Sequence, residues 1–253
     1  MRNGLIGGFA AVLGVGLFAF AQTARSDEIK VMASGAVKET YLELVPQFEK
    51  ASGHRVVTIW PGTADMMKRL KGGESVDLVI IGTNSLDELI NLGKIERGSR
   101  VDFARSGVGV AVRAGARKPD ISSGDAVKLA LLSASSIGYS SGPSGVYLDS
   151  LFQRMGITDQ LKSKLKRPPS GASVGEMVAR GEVEIGFQQV SELIHLSGID
   201  FLGPLPPDIQ QITIFSSGIH TGATKPDAAK ALAKFLTSPS AAMVIKKNGM
   251  EPG

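Results

Sequence analysis

The sequence predicts an α/β protein: a mostly parallel sheet with helices on both faces. Three observations predict it. Strand–loop–helix units follow one another three times between residues 28 and 92, the arrangement that builds parallel sheets. Small polar residues recur where each strand ends and the next helix begins. The chain has 253 residues, of which 43% are apolar and 21% charged. That is enough for one large domain or two small ones with real cores, and too apolar for a disordered chain.

The elements follow in order. Glu28 to Ala33 reads as a strand, and Ser34-Gly35-Ala36 turns into a helix reaching about Ala51, with Leu42, Val45 and Phe48 on one face. Gly53 stops it. Arg55 to Trp60 is a second strand, Pro61-Gly62-Thr63 a turn, and Ala64 to Lys71 a helix closed by Gly72-Gly73. Val76 to Ile81 is a fully apolar strand; Gly82-Thr83-Asn84-Ser85 leads into a helix from Leu86 to Leu92. Val108 to Val112 is a strand in a different setting, after a helix-poor stretch. A helix over 124–132, a short strand over 136–139, the turn Ser140 to Gly145 and a helix over 146–155 come next. Lys162 to Arg167 is a basic run, read as a solvated helix end and loop. Residues 173–179 read as helix, 183–187 as strand, 191–195 as a helical turn, 212–219 as strand, and 226–237 and 240–247 as helices. No internal repeat interrupts the pattern.

The first 26 residues stand apart. A positive start (Met1, Arg2) precedes an apolar run from Leu5 to Ala21, with cleavage sites at Ala19-Phe20-Ala21 and Ala24-Arg25-Ser26. The run is short and Gly-rich for a spanning helix, so residues 1–26 are expected to be a secretory signal peptide. Export without any Cys points to a Gram-negative periplasm. Removing residues 1–26 takes away Arg2 and Arg25 and no acid, so the formal charge falls from +4 to +2. The basic residues do not cluster, so no nucleic-acid partner is expected.

Composition also restricts the chemistry. Zero Cys excludes disulfides, Cys-ligated metals and thiol catalysis. His54, His195 and His220 lie far apart and form no zinc motif, so neither metal nor cofactor is expected. What remains is the set of strand-end residues: Ser34 with Gly35, Gly62 with Thr63, Thr83, Ser141 with Ser144, and Ser173. Each alone reads as a helix N-cap. Together, at the carboxyl ends of strands, they would form an anion site of hydroxyls and helix N–H groups. His220, beside the last strand, is a weak candidate acid or base, and Arg113 a candidate carboxylate clamp. Trp60 reads equally as core or as a ligand wall. Gly142 and Gly145 read as sites of close backbone approach and positive φ.

At this point the chain resembles the periplasmic molybdate-binding proteins, of the type 2 solute-binding fold. The resemblance rests on Asp27 to Gly35, Val56 to Thr63, Val76 to Ile80, Pro143 to Tyr147, Glu184 to Gln189 and Ser238 to Ala242. It implies two α/β lobes joined by two crossing strands: lobe one at 27–107 plus 217–253, lobe two at 108–216. It implies closure of the lobes around a small anion. The family's ligand positions fall on Ser34, on Thr63 of the Gly62-Thr63 pair, on Ser144 and on about Ser173 or Val174; its ligand Tyr falls on Gln189. Two features depart from the family: Trp60-Pro61 before the second loop, and Gln188-Gln189 at the third. Planar walls and amide groups suit a di- or tricarboxylate better than molybdate.

The resemblance implies a monomeric binding protein that hands a small anionic ligand to an ABC transporter. The alternative is an enzyme on the same scaffold, of the aconitate-isomerase kind. Shifting a double bond between cis and trans tricarboxylates requires proton abstraction next to a carboxylate and return at the allylic carbon. Hydroxyls and helix ends would stabilise the dienolate, and a base is required. Its candidates are His220, Glu192, Asp65 and Tyr147, none singled out by sequence.

Overall fold

A computed structural model describes residues 26–253. The expected signal peptide, apart from Ser26, lies outside the described residues. The three leading units form as expected. They are β1 (Glu28–Ala33), a 3-10 turn at Gly35–Val37 and α1 (Lys38–Ser52); β2 (Arg55–Ile59) and α2 (Thr63–Lys71); β3 (Leu78–Gly82) and α3 (Thr83–Asn91). β1 pairs in parallel with β2 and β3. Alternation along β1 and β3 buries both faces. Ile29, Val31, Leu78 and Ile80 enter one core with Tyr41, Phe48 and Leu232; Met32, Val79 and Ile81 enter another with Met66, Leu70 and Leu86.

The helix-poor stretch is a strand. β4 runs unbroken from Val101 to Arg113, well before the expected start at Val108. Its first half pairs with β9 (Ile212–Ile219), and from Val108 onward it pairs with β7 (Ile185–Gln189). β4 is therefore the strand on which one lobe becomes the other. Lobe two holds α4 (Gly124–Ser133), β5 (Ile137–Tyr139), α5 (Pro143–Arg154), α6 (Thr158–Leu161), β6 (Leu165–Lys166) and α7 (Val174–Ala179), then β7, α8 (Val190–Leu193) and β8 (Ile199–Pro204). β5, β6 and β7 are parallel; Val110, Leu131, Leu148, Phe152 and Phe187 fill the core beside them. After β9 the chain returns to lobe one as α9 (Pro226–Leu236), α10 (Pro239–Lys247) and β10 (Glu251–Pro252), which pairs with β4. The sheet order is β2-β1-β3-β9-β4-β7-β5-β6, with β8 and β10 also on β4.

Besides the short helix α6, three strands were not expected: β6, inside the basic run, and the edge pieces β8 and β10. Each gains its structure from a partner strand rather than from its own pattern.

Two glutamines fasten the crossing. Gln210 accepts from Val108 N at 2.9 Å and donates to the carbonyls of Val108 and Leu205 at 3.0 and 3.2 Å. Gly107 makes room for it, since a Cβ there would lie 3.0 Å from the Gln210 amide nitrogen. Gln189 donates to the carbonyls of Ser106 and Gly107 and accepts from Thr213 Oγ1, each at 3.1 Å.

Asp77 fastens lobe one. It is 1% exposed. Its carboxylate accepts from Lys30 N at 2.8 Å, Thr224 N at 2.7 Å, Lys225 N at 2.9 Å and Thr224 Oγ1 at 3.2 Å. One side chain thus joins β1, the residue before β3 and the approach to α9.

Candidate functional site

The carboxyl ends of the parallel strands converge between the lobes. On lobe one, Ser34 N donates to Ile80 O at 2.8 Å, which turns the chain after β1. Ser34 Oγ accepts from Ala36 N at 3.4 Å, leaving its own hydrogen for a ligand. Thr63 stands at the first position of α2, after Gly62, with no side-chain cap, so the first N–H groups of that helix face the cleft uncapped.

On lobe two the chain leaves β5 through Ser140-Ser141-Gly142 into α5. Gly142 N donates to Ser140 Oγ at 3.2 Å, and Ser140 and Ser144 share a hydrogen at 2.9 Å. Two hydroxyls with one shared hydrogen leave the second hydrogen free. A Cβ on Gly145 would lie 1.6 Å from Ser140 O, so only Gly allows this fold. Neither Gly142 nor Gly145 has the expected positive φ; close approach alone explains Gly145.

The lobes are closed. A Cβ on Gly62 would meet Ser170 Oγ at 2.2 Å and Gly171 N at 2.8 Å on the opposite lobe. The space inside is about 50 Å³. Ser34, Gly35, Gly62, Thr63, Ser144, Gln188 and Gln189 all line it, together with Ala36, Pro61, Ser140, Gly142, Pro143, Gly171, Ala172 and Glu192. None of these lining residues is basic, so an anion there is held by dipoles.

The floor is the β7–α8 junction. Gln188 Oε1 accepts from Gly175 N at 3.1 Å and Ser173 Oγ at 3.3 Å, and its Nε2 donates to Glu192 Oε1 at 2.8 Å. Gln189 N–H also bonds the Glu192 carboxyl. A Glu reaching back to the N-cap backbone is a capping-box arrangement. This one also points across the cleft: a Cβ on Gly35 would lie 3.3 Å from Glu192 Oε1. Burial pushes the Glu192 carboxyl up to about 7, against the lowering effect of the Gln188 amide and Gln189 N–H. At neutral pH it is poised between acid and base.

Four expected site residues are placed otherwise. Ser141 does not line the cleft; the turn presents Ser140 and Gly142 instead. Thr83 Oγ1 is bound to Ile214 O at 3.0 Å and to Ser216 Oγ at 2.5 Å, and Ser216 passes its hydrogen to Asp102 at 2.7 Å. Thr83 thus closes a structural relay and lines a neighbouring cavity. Ser173 caps α7 by accepting from Glu176 N at 3.3 Å and supports Gln188 from behind. His220 is buried in lobe one, away from the cleft, with Nδ1 accepting from Gly222 N at 3.0 Å. Burial and then Lys94 push its pKa down. It is not the base.

The other candidates are excluded by position as well. Asp65 pairs with Arg69 at 3.7 Å on α2. Tyr147 donates to Ile209 O and accepts from Arg154 at 3.1 Å. Trp60 is partly buried against the first core, edge-on to Tyr41 at 5.2 Å, and Arg113 is exposed beside Gly181. Of the four base candidates, Glu192 alone faces the cleft.

The chain was compared with known proteins. The family model of bacterial extracellular solute-binding proteins matches residues 29–251. An aconitate isomerase from Pseudomonas sp is 39% identical over 88% of this chain and 87% of its own length. The molybdate-binding protein ModA of Azotobacter vinelandii is 29% identical over 94% of both chains. The solved structure of an Azotobacter vinelandii periplasmic molybdate-binding protein superposes with a TM-score of 0.76 over 89% of this chain and 99% of that one, at 20% identity. The two-lobed fold, the anion-ready cleft and the family match over nearly the whole described chain agree: this protein belongs to the bacterial extracellular solute-binding proteins.

Proposed function

We propose that this protein acts in the periplasm as an isomerase of the aconitate kind, binding an unsaturated tricarboxylate in the interlobe cleft and moving its double bond by proton transfer. One observation carries the reading. A carboxyl poised near neutrality stands on the wall of a cleft otherwise lined by hydroxyls, amides and uncapped helix ends. A site meant only to hold a dianion gains nothing from a carboxylate there. Proton transfer needs such a group.

In this reading Glu192 takes a proton from the methylene carbon between carboxylate and alkene. The electron pair spreads over the dienolate, and its charge falls on carboxylate oxygens held by Ser34, Thr63, Ser144 and the first N–H groups of α2 and α5. Delivery of the proton to the other allylic carbon completes the shift. No atom is gained or lost. Gln188 holds the carboxyl of Glu192 in place, and closure excludes water. The 39% identical aconitate isomerase supports this reading.

The test is direct. Purified protein incubated with trans-aconitate is expected to approach the cis/trans equilibrium, with exchange of the reactive hydrogens followed in deuterium oxide. No turnover and no exchange would exclude the isomerase.

A second reading is capture of a small anion for an ABC transporter, with closure driven by the crossing strands at the 107/108 and 216/217 lobe boundaries. The 29% identical ModA and the small closed space favour it. It expects molybdate or tungstate at one hundred times Kd to stabilise the protein by about 2.7 kcal/mol while carboxylates do not. Either reading expects Ser144→Ala to weaken the ligand by about 1.5–3 kcal/mol, the value of a hydrogen bond to a charged group. Unchanged affinity in calorimetry would move the ligand elsewhere.

A further inference from the structure

Next to the cleft lies a second, larger cavity of about 420 Å³ between the same two lobes. The two spaces share Thr63, Gly142 and Pro143 as a common wall. Gly142 stands beside Thr63 in that wall: a Cβ on Gly142 would lie 3.7 Å from Thr63 Oγ1, in ordinary contact. The larger cavity is polar where it meets lobe one. Asn84 and Ser85, in the first turn of α3, line it, and among the described residues neither side chain has an internal hydrogen-bond partner. Gln211 and Ser150 face it from the crossing strand and from α5. An exposed cation stands behind Tyr147, outside the lining. Arg154 lies 5.2 Å from the Tyr147 ring and donates to its hydroxyl, and Tyr147 lines the cavity. Arg154 has no carboxylate partner among the described residues, unlike Arg167 one layer away, which pairs with Asp149 at 2.5 Å.

We infer that this cavity is a second subsite that receives the far carboxylate of an extended polycarboxylate. The inference rests on the reading of the cleft as a tricarboxylate site and adds how so small a space accommodates such a ligand. The cleft, at about 50 Å³, holds the reacting end. The remaining arm passes Gly142 into the larger cavity, where the free Asn84 amide and Ser85 hydroxyl donate to it and the unpaired Arg154 supplies the opposing charge. A bare oxyanion or a short dicarboxylate would not reach that far. The subsite therefore sets the substrate's length.

The test measures equilibrium binding, so it does not depend on turnover. Tricarballylate, the saturated tricarboxylate, and succinate are titrated by calorimetry into the mature wild-type protein, Asn84→Leu and Arg154→Gln. Each variant is expected to weaken tricarballylate at least tenfold and succinate less than twofold, with the melting temperature unchanged. Equal losses for both ligands, or no loss for tricarballylate, would overturn the subsite. If trans-aconitate is still isomerised in that case, the function stands and the subsite alone falls. If wild type binds neither carboxylate, both fall together.

Discussion

Glu192→Gln is expected to reduce turnover of trans-aconitate by 10²–10⁴-fold, the usual contribution of a positioned acid–base group. Gln keeps the size and the bond to Gln188 and removes only the exchangeable proton. Tricarballylate affinity is therefore expected to hold within about threefold. A variant retaining more than a tenth of the wild-type rate would exclude Glu192 as the base. The pH profile gives a second readout. The deprotonated form abstracts the proton, so kcat/KM should rise about tenfold per pH unit below about 7 and level off above it. The same group predicts an effect on stability of the opposite sense. Its folded pKa lies above the ordinary value of 4.5, so between there and about 7 the folded protein keeps a proton that the unfolded chain releases. Stability from this group is complete below 4.5 and is lost as pH rises through 7. Glu192→Gln is thus expected to be the more stable protein at pH 8, by at most about 3 kcal/mol, and no different at pH 4. A carboxyl kept at that cost is consistent with use.

Asp77→Ala is expected to destabilise the protein by about 3–5 kcal/mol, read from the shift of the urea midpoint. The substitution leaves the Lys30, Thr224 and Lys225 N–H groups without their acceptor in a partly buried junction. It also releases the approach to α9 from the strand edge, although Leu232 and Ala229 of that helix fill the first core. The cleft lies elsewhere, so the folded fraction should bind anions normally. A shift below about 1 kcal/mol would show that solvent or another acceptor reaches these donors.

The alternation of apolar strands and small strand-end residues made most of the fold legible. β1 and β3 are buried on both faces, so their composition announces them whatever their neighbours do; β2, at the sheet edge, is announced by its β-branched run Val56-Val57-Thr58-Ile59. β4 was half legible. Val108 to Val112 is an apolar run, but Asp102, Arg105 and Gly107 break the earlier pattern, and only pairing with β9 and β10 makes that half a strand. β8 is an edge strand that ends at Pro204, with no apolar alternation to mark it. The site divides in the same way. Ser34, Thr63 and Ser144 were legible only as a set, since a strand-end hydroxyl alone reads as a helix N-cap. Thr83 and Ser173 share that signature but were turned to structural bonds by partners distant in sequence, Ser216 and Gln188. Ser140 was hidden beside Ser141, because which of two adjacent serines faces inward depends on the turn. Glu192 was named among the base candidates without rank. Its surroundings include Gly35, far away in the sequence, which no local pattern records. A Glu three residues after a strand-end Gln was the available signal.

The path of the chain has a consequence for the order in which the molecule can be completed. One lobe is closed by residues from both ends: Ile29, Val31 and Tyr41 share a core with Phe215, Leu232 and Ile245. The other is assembled from one continuous stretch, Val108 to Leu205. A ribosome delivers the first strand early, and one of its faces can join the core of Met66, Leu70 and Leu86 at once, but the core on its other face is unfinished until nearly the last residue has emerged. Contacts so distant in sequence form slowly. One face of the first sheet therefore stays uncovered through most of synthesis, and the last two helices close it.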